Sequence, residues 1–230
     1  SILVFAKHEL RTFDQVLNRA SNSKFCDQLL VVLDDQHLPE VKEIAKKYHA
    51  DIYVKKLDNF RDYKNFGISK AKHNWVLLLD ADELIDKELA DSLEKFRIND
   101  ESSYRGYKIK FKTYFFNHWL KYGGVYPDIH IRLFDKRHSK YKHIVHELLF
   151  VDGKIGNLDG HILHYSVSNF KQWINKISLY NDLEARFLIE HGRKFSIGYL
   201  LGKPIKEFIW RYFQLYGYRD GLHGIRFALM

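Results

Sequence analysis

The chain has 230 residues and a mass of 27.5 kDa, enough for one large α/β domain, or for such a domain with a smaller appendage. Its net charge of +8 and pI of about 9.3 favour anionic partners such as nucleic acid, nucleotide phosphates or an acidic membrane surface. The single Cys26 excludes an intramolecular disulfide, and the sequence contains no stretch of transmembrane length and no signal-peptide pattern. We therefore expect a reducing, cytoplasmic location.

The first part of the chain alternates short apolar runs with amphipathic stretches. The apolar runs predict strands buried on both faces, at residues 2–5, 29–33, 51–54 and 75–80. The amphipathic stretches predict helices at residues 12–20, 39–48 and 60–72. This alternation predicts an α/β fold with a doubly wound, mainly parallel sheet, in which ligands bind beyond the carboxyl ends of the strands.

Polar clusters follow three of these strands, and we expect them at one edge of the sheet. They read AKHE at 6–9, DDQH at 34–37 and DADE at 80–83. The last cluster holds three carboxylates, Asp80, Asp82 and Glu83, which repel each other unless a cation or a polar ligand lies among them. Two aspartates around a small residue suit one hard divalent cation, whose other positions water and a diphosphate would fill.

From about Tyr104 the pattern changes to the short alternation that is typical of antiparallel strands, with a turn at Gly123 and Gly124. Histidines are frequent here, and we expect surface or core roles for most of them in preference to a zinc site. They are His130, His138, His143, His146, His161 and His164.

The C-terminal part is predicted to be helical and to form its own region, 166–230, after a main domain of residues 1–165. Asn169 and Gln172 have the spacing of a capping box, and Gly192 is placed as a C-cap. Residues 203–227 mix Trp, Tyr and Phe with Lys and Arg. This mixture suits a membrane interface, and it equally suits packing on the sheet or on a second subunit in a homodimer.

The motifs together resemble those of the family 2 inverting glycosyltransferases, which have the nucleotide-sugar-binding GT-A fold. The resemblance covers residues 2–165 and includes AKHE, VVLDD and the long segment KNFGISKAKHNWVLLLDADE. The later segments YGGVYPDIHIRLFDK and IVHE resemble more narrowly the branch that assembles lipopolysaccharide cores and related surface glycans. DDQHLPE replaces the family's usual Asp-Ser-Gly-Ser-Thr-Asp run, so the choice of nucleotide stays open.

The resemblance implies a role for each matching residue. Lys64 would face the diphosphate, Asn65 would orient a loop, and Asp82 would bind Mn²⁺ or Mg²⁺ directly. Asp80 would hold the ribose or share the metal, His146 would contact the metal or the diphosphate, and Arg132 would stabilise phosphate charge. The nucleoside would contact residues of the first two clusters, namely Ala6, Lys7, Glu9, Asp34 and Asp35.

An inverting transfer needs a base, and Glu147 and Asp128 are the candidates, with Glu147 slightly preferred. The implied partners are a nucleotide-diphosphate sugar, expected to be UDP-linked, and a glycan or lipid-linked acceptor. A lipid-linked acceptor would place the enzyme peripherally on the inner face of the membrane. The alternatives are a nucleotide-sugar-binding protein with a decayed site and, less favoured, a nucleic-acid-binding protein. The sequence contains no recognised nucleic-acid-binding motif, and we expect no nucleic-acid partner.

Overall fold

The computed structural model describes residues 1–6, 10–34, 39–98, 103–142, 148–190, 192 and 196–230. These residues divide into two compact units. The first unit contains Ser1–Phe111 and Ile129–His164, and the second contains Lys112–Asp128 and Tyr165–Met230. The predicted assignment of a donor-binding domain, 1–165, and a C-terminal partner-binding region stays a prediction about function.

Four parallel strands begin the sheet, as the apolar runs predicted. They are β1 (Ile2–Ala6), β2 (Leu29–Leu33), β3 (Asp51–Val54) and β4 (Trp75–Asp80), in the order β3-β2-β1-β4. Every residue of β1 and β2 is buried, which explains why these strands lack polar alternation. The register pairs Ala6 with Leu33 and Phe5 with Asp80, so β1, β2 and β4 end at the same edge.

Helices follow β1, β2, β3 and a short strand after β4. They are α1 (Leu10–Ser21), α2 (Pro39–Lys47), α3 (Phe60–Lys70) and α4 (Lys87–Ile98). Pro39 is the first residue of α2, where its missing N–H has no helical partner to lose. The sequence patterns predicted the first three helices but neither α4 nor the strand before it, β5 (Glu83–Ile85).

The remaining strands make the large sheet mixed. They are β6 (Tyr104–Phe115), β7 (His118–Trp119), β8 (Asp128–Asp135), β9 (Ser139–Lys142), β10 (Leu148–Val151) and β11 (Lys154–Val167). The main order is β3-β2-β1-β4-β8-β6-β11-β5, with β7 on β6 and a separate β9–β10 pair. The pairs β4–β8, β5–β11, β6–β7 and β9–β10 are antiparallel, which confirms the antiparallel pattern expected after Tyr104.

The second unit is largely helical. Its helices are α5 (Phe170–Glu190), α6 (Ile197–Ile209) and α7 (Gly221–Ala228), with a π-helical turn at Trp210–Gln214 and a 3₁₀ turn at Gly217–Asp220. Its core contains Phe115, Leu120, Val125 and Val167. Among the described helices, none is both long and apolar enough to cross a bilayer.

Two local predictions in the second unit are confirmed, and the predicted capping box is confirmed in part. Asn169 Oδ1 accepts the backbone N–H of Gln172 at 2.9 Å, as in a capping box, whereas Gln172 Oε1 accepts the N–H of Ser168, the residue before the cap, at 3.0 Å. Gly192 lies just after the end of α5 with φ of 66°, and its N–H donates to Ile189 O at 3.0 Å, as expected of a C-terminal cap. The turn at Gly123 and Gly124 has φ of 70° and 78°, a conformation that glycine adopts without a Cβ penalty.

Candidate active site

The DADE turn begins at the last residue of the buried strand β4. The backbone N–H and C=O of its second residue, Ala81, are both hydrogen-bonded. The Ala81 N–H donates to Phe5 O at 3.0 Å, and the Thr12 hydroxyl donates to Ala81 O at 2.9 Å. The turn is therefore tied to β1 and α1. Asp80 and Asp82 lie on either side of this anchor, with side chains that are 40% and 18% exposed.

The carboxylate cluster is partly neutralised by the protein itself. Arg132, on β8, places one guanidinium nitrogen 2.6 Å from Glu83 Oε1 and 3.5 Å from Asp80 Oδ2. Glu83 Oε2 accepts the backbone N–H of Asp80 at 2.9 Å. The guanidinium also lies over the ring of Phe111, 5.1 Å from its centroid. Arg132 is thus one positive group of the kind that the crowded carboxylates predicted.

Burial governs the protonation of this ion pair. The Glu83 side chain is only 3% exposed, and burial raises its pKa from the usual 4.5 to about 7, although Arg132 acts in the opposite direction. Burial also disfavours the charged form of Arg132, but Glu83 and Asp80 outweigh it and raise the pKa of the guanidinium. Arg132 therefore stays charged, and Glu83 titrates near neutral pH.

Asp82 has a different partner, His164 on β11. The Oδ2 atom of Asp82 lies 3.4 Å from His164 Nε2, and this contact becomes an ion pair when the imidazole is protonated. The antiparallel register pairs His164 with Glu83, which brings this histidine to the cluster. Asp80 and Asp82 offer carboxylate oxygens, the donors that Mg²⁺ and Mn²⁺ accept, and both side chains retain exposed surface. The donor set therefore fits a hard divalent cation.

Asp34 shares this edge of the sheet with Asp80. The pKa of Tyr63 is raised first by burial and then by the negative charges of Asp34 and Asp80, so both carboxylates act on one hydroxyl. That hydroxyl donates to Val32 O at 3.0 Å. Ala6, also predicted to contact the donor, is buried at the end of β1.

Asn65 joins α3 to β9. Its Nδ2 donates to Tyr141 O at 3.0 Å, and its Oδ1 accepts the Tyr141 N–H at 3.0 Å. The neighbouring Lys64 places its Nζ 4.9 Å from the centroid of the Tyr141 ring. Asn65 thus fixes the backbone of the strand that precedes residues 143–147. Its loop-orienting role and the diphosphate contact of Lys64 stay predictions.

Replacing Asn65 by alanine should lower the free energy of unfolding by about 1–3 kcal/mol, because both backbone groups of Tyr141 lose their partner. Urea unfolding would measure this loss. Ser69→Ala, an exposed change on the same helix, should shift stability by less than about 0.5 kcal/mol. Equal effects of the two changes would contradict a structural role for the Asn65 contacts.

The contacts given above include none of six predicted site residues. Asp128 is the first residue of β8 and belongs to the second unit. Five candidates lie outside the described residues, namely Lys7, Glu9, Asp35, His146 and Glu147. Their roles stay predictions. Conversely, His164 was noted in the sequence without a site role, because only the β5–β11 pairing places it beside Glu83.

A second group of ligand-type side chains lies near the start of α4. Asp86, Glu88 and His161 each bring one ligand atom within 4.8 Å of the others. Asp86 already has a structural role, because its Oδ1 accepts the N–H of Leu89 at 2.9 Å and of His161 at 3.0 Å. This group is separate from the Asp80 and Asp82 pair that the sequence singled out.

Two pockets open beside the amino ends of the parallel strands, away from the carboxylate cluster. One is lined by Ser1, Trp75 and Phe96, among others, and the other by Gln28, Tyr48 and Asp51, among others. Because ligands of such sheets bind at the carboxyl ends of the strands, we do not assign these pockets to the site.

Comparison with known proteins gives a family and several relatives. A family model described as Glycosyl transferase family 2 matches residues 1–151. An uncharacterized glycosyltransferase of Rickettsia typhi is 28% identical over 243 residues, covering 99% of this chain and 82% of the relative. LpsC of Rhizobium meliloti, a lipopolysaccharide core biosynthesis glycosyltransferase, is 27% identical over 165 residues, covering 70% of this chain and 60% of the relative.

Among solved structures, the complex of S. aureus TarS with UDP-GlcNAc is 21% identical, with a TM-score of 0.37. The similarity covers 49% of this chain and 35% of that one. The family match confirms what the sequence motifs implied, a nucleotide-sugar-dependent transferase with a GT-A α/β fold and a helical C-terminal region. The chain therefore belongs to glycosyl transferase family 2.

Proposed function

We propose that this enzyme transfers a sugar, with inversion, from a UDP-linked donor to a hydroxyl group of a surface glycan of the lipopolysaccharide-core type. The observation that carries the proposal is the anchored turn at the carboxyl edge, which presents Asp80 and Asp82 beside Asp34. The similarity to LpsC supports the class of acceptor, and the resemblance of the motifs supports a UDP-linked donor. A glycan that is still linked to its lipid would place the enzyme at the inner face of the membrane.

Asp80 and Asp82 would hold Mn²⁺ or Mg²⁺, with His146 as a further ligand. The bound metal would offset the negative charge that develops on the leaving diphosphate. Arg132 and Glu83 hold the backbone and side chain of Asp80, so they position this ligand. Lys64 would add positive charge at the diphosphate from α3.

The transfer is a direct displacement. The acceptor hydroxyl attacks the anomeric carbon from the side opposite the nucleotide, the bond to the diphosphate oxygen breaks, and a carboxylate takes the hydroxyl proton. Glu147 is our preferred base and Asp128 the alternative. No covalent enzyme intermediate is needed.

Glu147→Gln should reduce sugar transfer roughly a hundredfold or more and leave donor binding unchanged, because the amide cannot accept the proton. Asp128→Asn is the matched variant and should have a smaller effect. Turnover with saturating donor and acceptor, together with donor affinity by calorimetry, would separate the two roles. The reverse ranking would assign the proton to Asp128.

The function itself is tested with a panel of nucleotide sugars in the presence of Mn²⁺, Mg²⁺ or EDTA. We expect nucleoside diphosphate release from one donor, accelerated by a core oligosaccharide acceptor and abolished by EDTA. Donor binding without turnover on any glycan acceptor would indicate a decayed site. If no donor binds in the presence of metal, the proposed function is wrong.

A further inference from the structure

Helix α6 presents an exposed aliphatic face. None of its 13 residues is buried. Four aliphatic side chains recur at every fourth position, Ile197, Leu201, Ile205 and Ile209, which places them along one face. They are 66%, 59%, 59% and 46% exposed. A helix that packed this stripe on its own unit would bury it, so the stripe is available to a partner.

The other face of α6 is cationic and aromatic. Lys203 and Lys206 are exposed, and Lys203 Nζ lies 5.3 Å from the centroid of the Tyr199 ring. Trp210 follows the helix and is 45% exposed. An aliphatic stripe opposite lysines, with Tyr and Trp beside them, is the pattern of helices that lie in a membrane interface.

The length of α6 decides between lying in a bilayer surface and crossing the bilayer. At 1.5 Å per residue, its 13 residues extend roughly 20 Å, whereas the hydrocarbon core is about 30 Å thick. The helix is therefore too short to span. It is long enough to lie flat, with the aliphatic stripe among acyl chains and the lysines among headgroups.

Charge decides between a bilayer and a second copy of the chain. The second unit has twelve lysines and arginines against six aspartates and glutamates, so it carries most of the net charge of +8. A symmetric dimer through the aliphatic stripe of α6 would bring two positively charged units together, which is unfavourable. Anionic headgroups complement them, at about 1 kcal/mol for each Lys or Arg near the surface.

We propose that α6 and Trp210 dock this protein onto an anionic lipid bilayer. Ile197, Leu201, Ile205 and Ile209 would insert at the boundary of headgroups and acyl chains, while Lys203 and Lys206 would contact lipid phosphates. The docking requires neither donor nor metal, so it can be tested independently of the proposed transfer reaction.

Vesicle co-sedimentation of the whole chain tests the docking. The probes are vesicles of phosphatidylcholine alone and of phosphatidylcholine mixed with phosphatidylglycerol, in EDTA and without donor. We expect binding to the mixed vesicles, weakened by salt. The double variant Leu201→Asp/Ile205→Asp should bind these vesicles at least roughly tenfold more weakly than the unchanged protein, because two inserted side chains become charged. Lys203→Glu/Lys206→Glu should lose the preference for anionic vesicles.

The matched control is Leu148→Asp/Ile155→Asp, which changes the same residue types at exposed positions of the first unit, 66% and 38% exposed. It should bind like the unchanged protein, and circular dichroism checks that all variants fold. The proposal is overturned if the unchanged protein ignores anionic vesicles or if the α6 variant and the control bind equally. It is also overturned if light scattering finds a dimer that only the α6 variant loses, with no vesicle binding.

Discussion

Asp82→Ala should reduce sugar transfer more than roughly a thousandfold, because the variant loses the proposed direct ligand of the metal and with it several kcal/mol of charge stabilisation on the diphosphate. The fold should survive. Asp82 has the His164 contact, but the turn itself is held through the backbone of Ala81, which the substitution leaves in place. Nucleoside diphosphate release with saturating metal measures the loss.

Metal binding can be measured separately from activity. A ligand that binds only the folded state raises the midpoint of thermal unfolding. Mn²⁺ should therefore raise the midpoint of the unchanged protein and of Asp91→Ala, an exposed aspartate on α4, but not that of Asp82→Ala. If Mn²⁺ stabilises Asp82→Ala as strongly as the control, the metal binds elsewhere. The Asp86, Glu88 and His161 group would then be the first site to test.

The sequence predicted the parallel part of the sheet closely, because strands that are buried on both faces leave continuous apolar runs. The predicted strand at 2–5 is β1, Ile2–Ala6, and those at 29–33 and 75–80 are β2 and β4 with the same bounds. The strand β5 was not predicted, because it has only three residues and depends on pairing with β11, far along the chain. Local periodicity contains no signal for such a pairing.

The sequence predicted the acidic residues of the candidate site better than it predicted the residues that contact them. The DADE pattern alone indicated a cation or a polar ligand at Asp80, Asp82 and Glu83. It could not indicate that Arg132 forms an ion pair with Glu83, because the alternating pattern of β8 left the direction of that side chain open. In the same way, the apolar period of α6 predicts an amphipathic helix but does not distinguish a packed face from an exposed one.

Arg132→Met should cost about 3–5 kcal/mol of unfolding free energy above about pH 8, because the buried Glu83 loses its partner and must then be either charged and unpaired or protonated far above its usual pKa. Methionine keeps much of the side-chain volume and its contact with Phe111, so the lost charge, and not a cavity, dominates the effect. The double variant Arg132→Met/Glu83→Gln should recover most of the lost unfolding free energy. The amide is neutral and can still accept the Asp80 N–H that Glu83 accepts now.

The loss in Arg132→Met should also depend on pH, and the direction follows from the raised pKa of Glu83. Because the folded state holds the proton up to about pH 7 and the unfolded carboxyl releases it near 4.5, this group contributes stability at low pH that is lost as pH rises through 7. Without Arg132 the pKa of Glu83 rises further, so the variant and the unchanged protein differ less near about pH 6 than above about pH 8. Urea unfolding in EDTA at about pH 6 and about pH 8 measures this difference in stability. The double variant Arg132→Met/Glu83→Gln should lack the pH dependence. A loss that is equal at both pH values and is not recovered by Glu83→Gln would show that Arg132 stabilises the fold through packing and not through its charge.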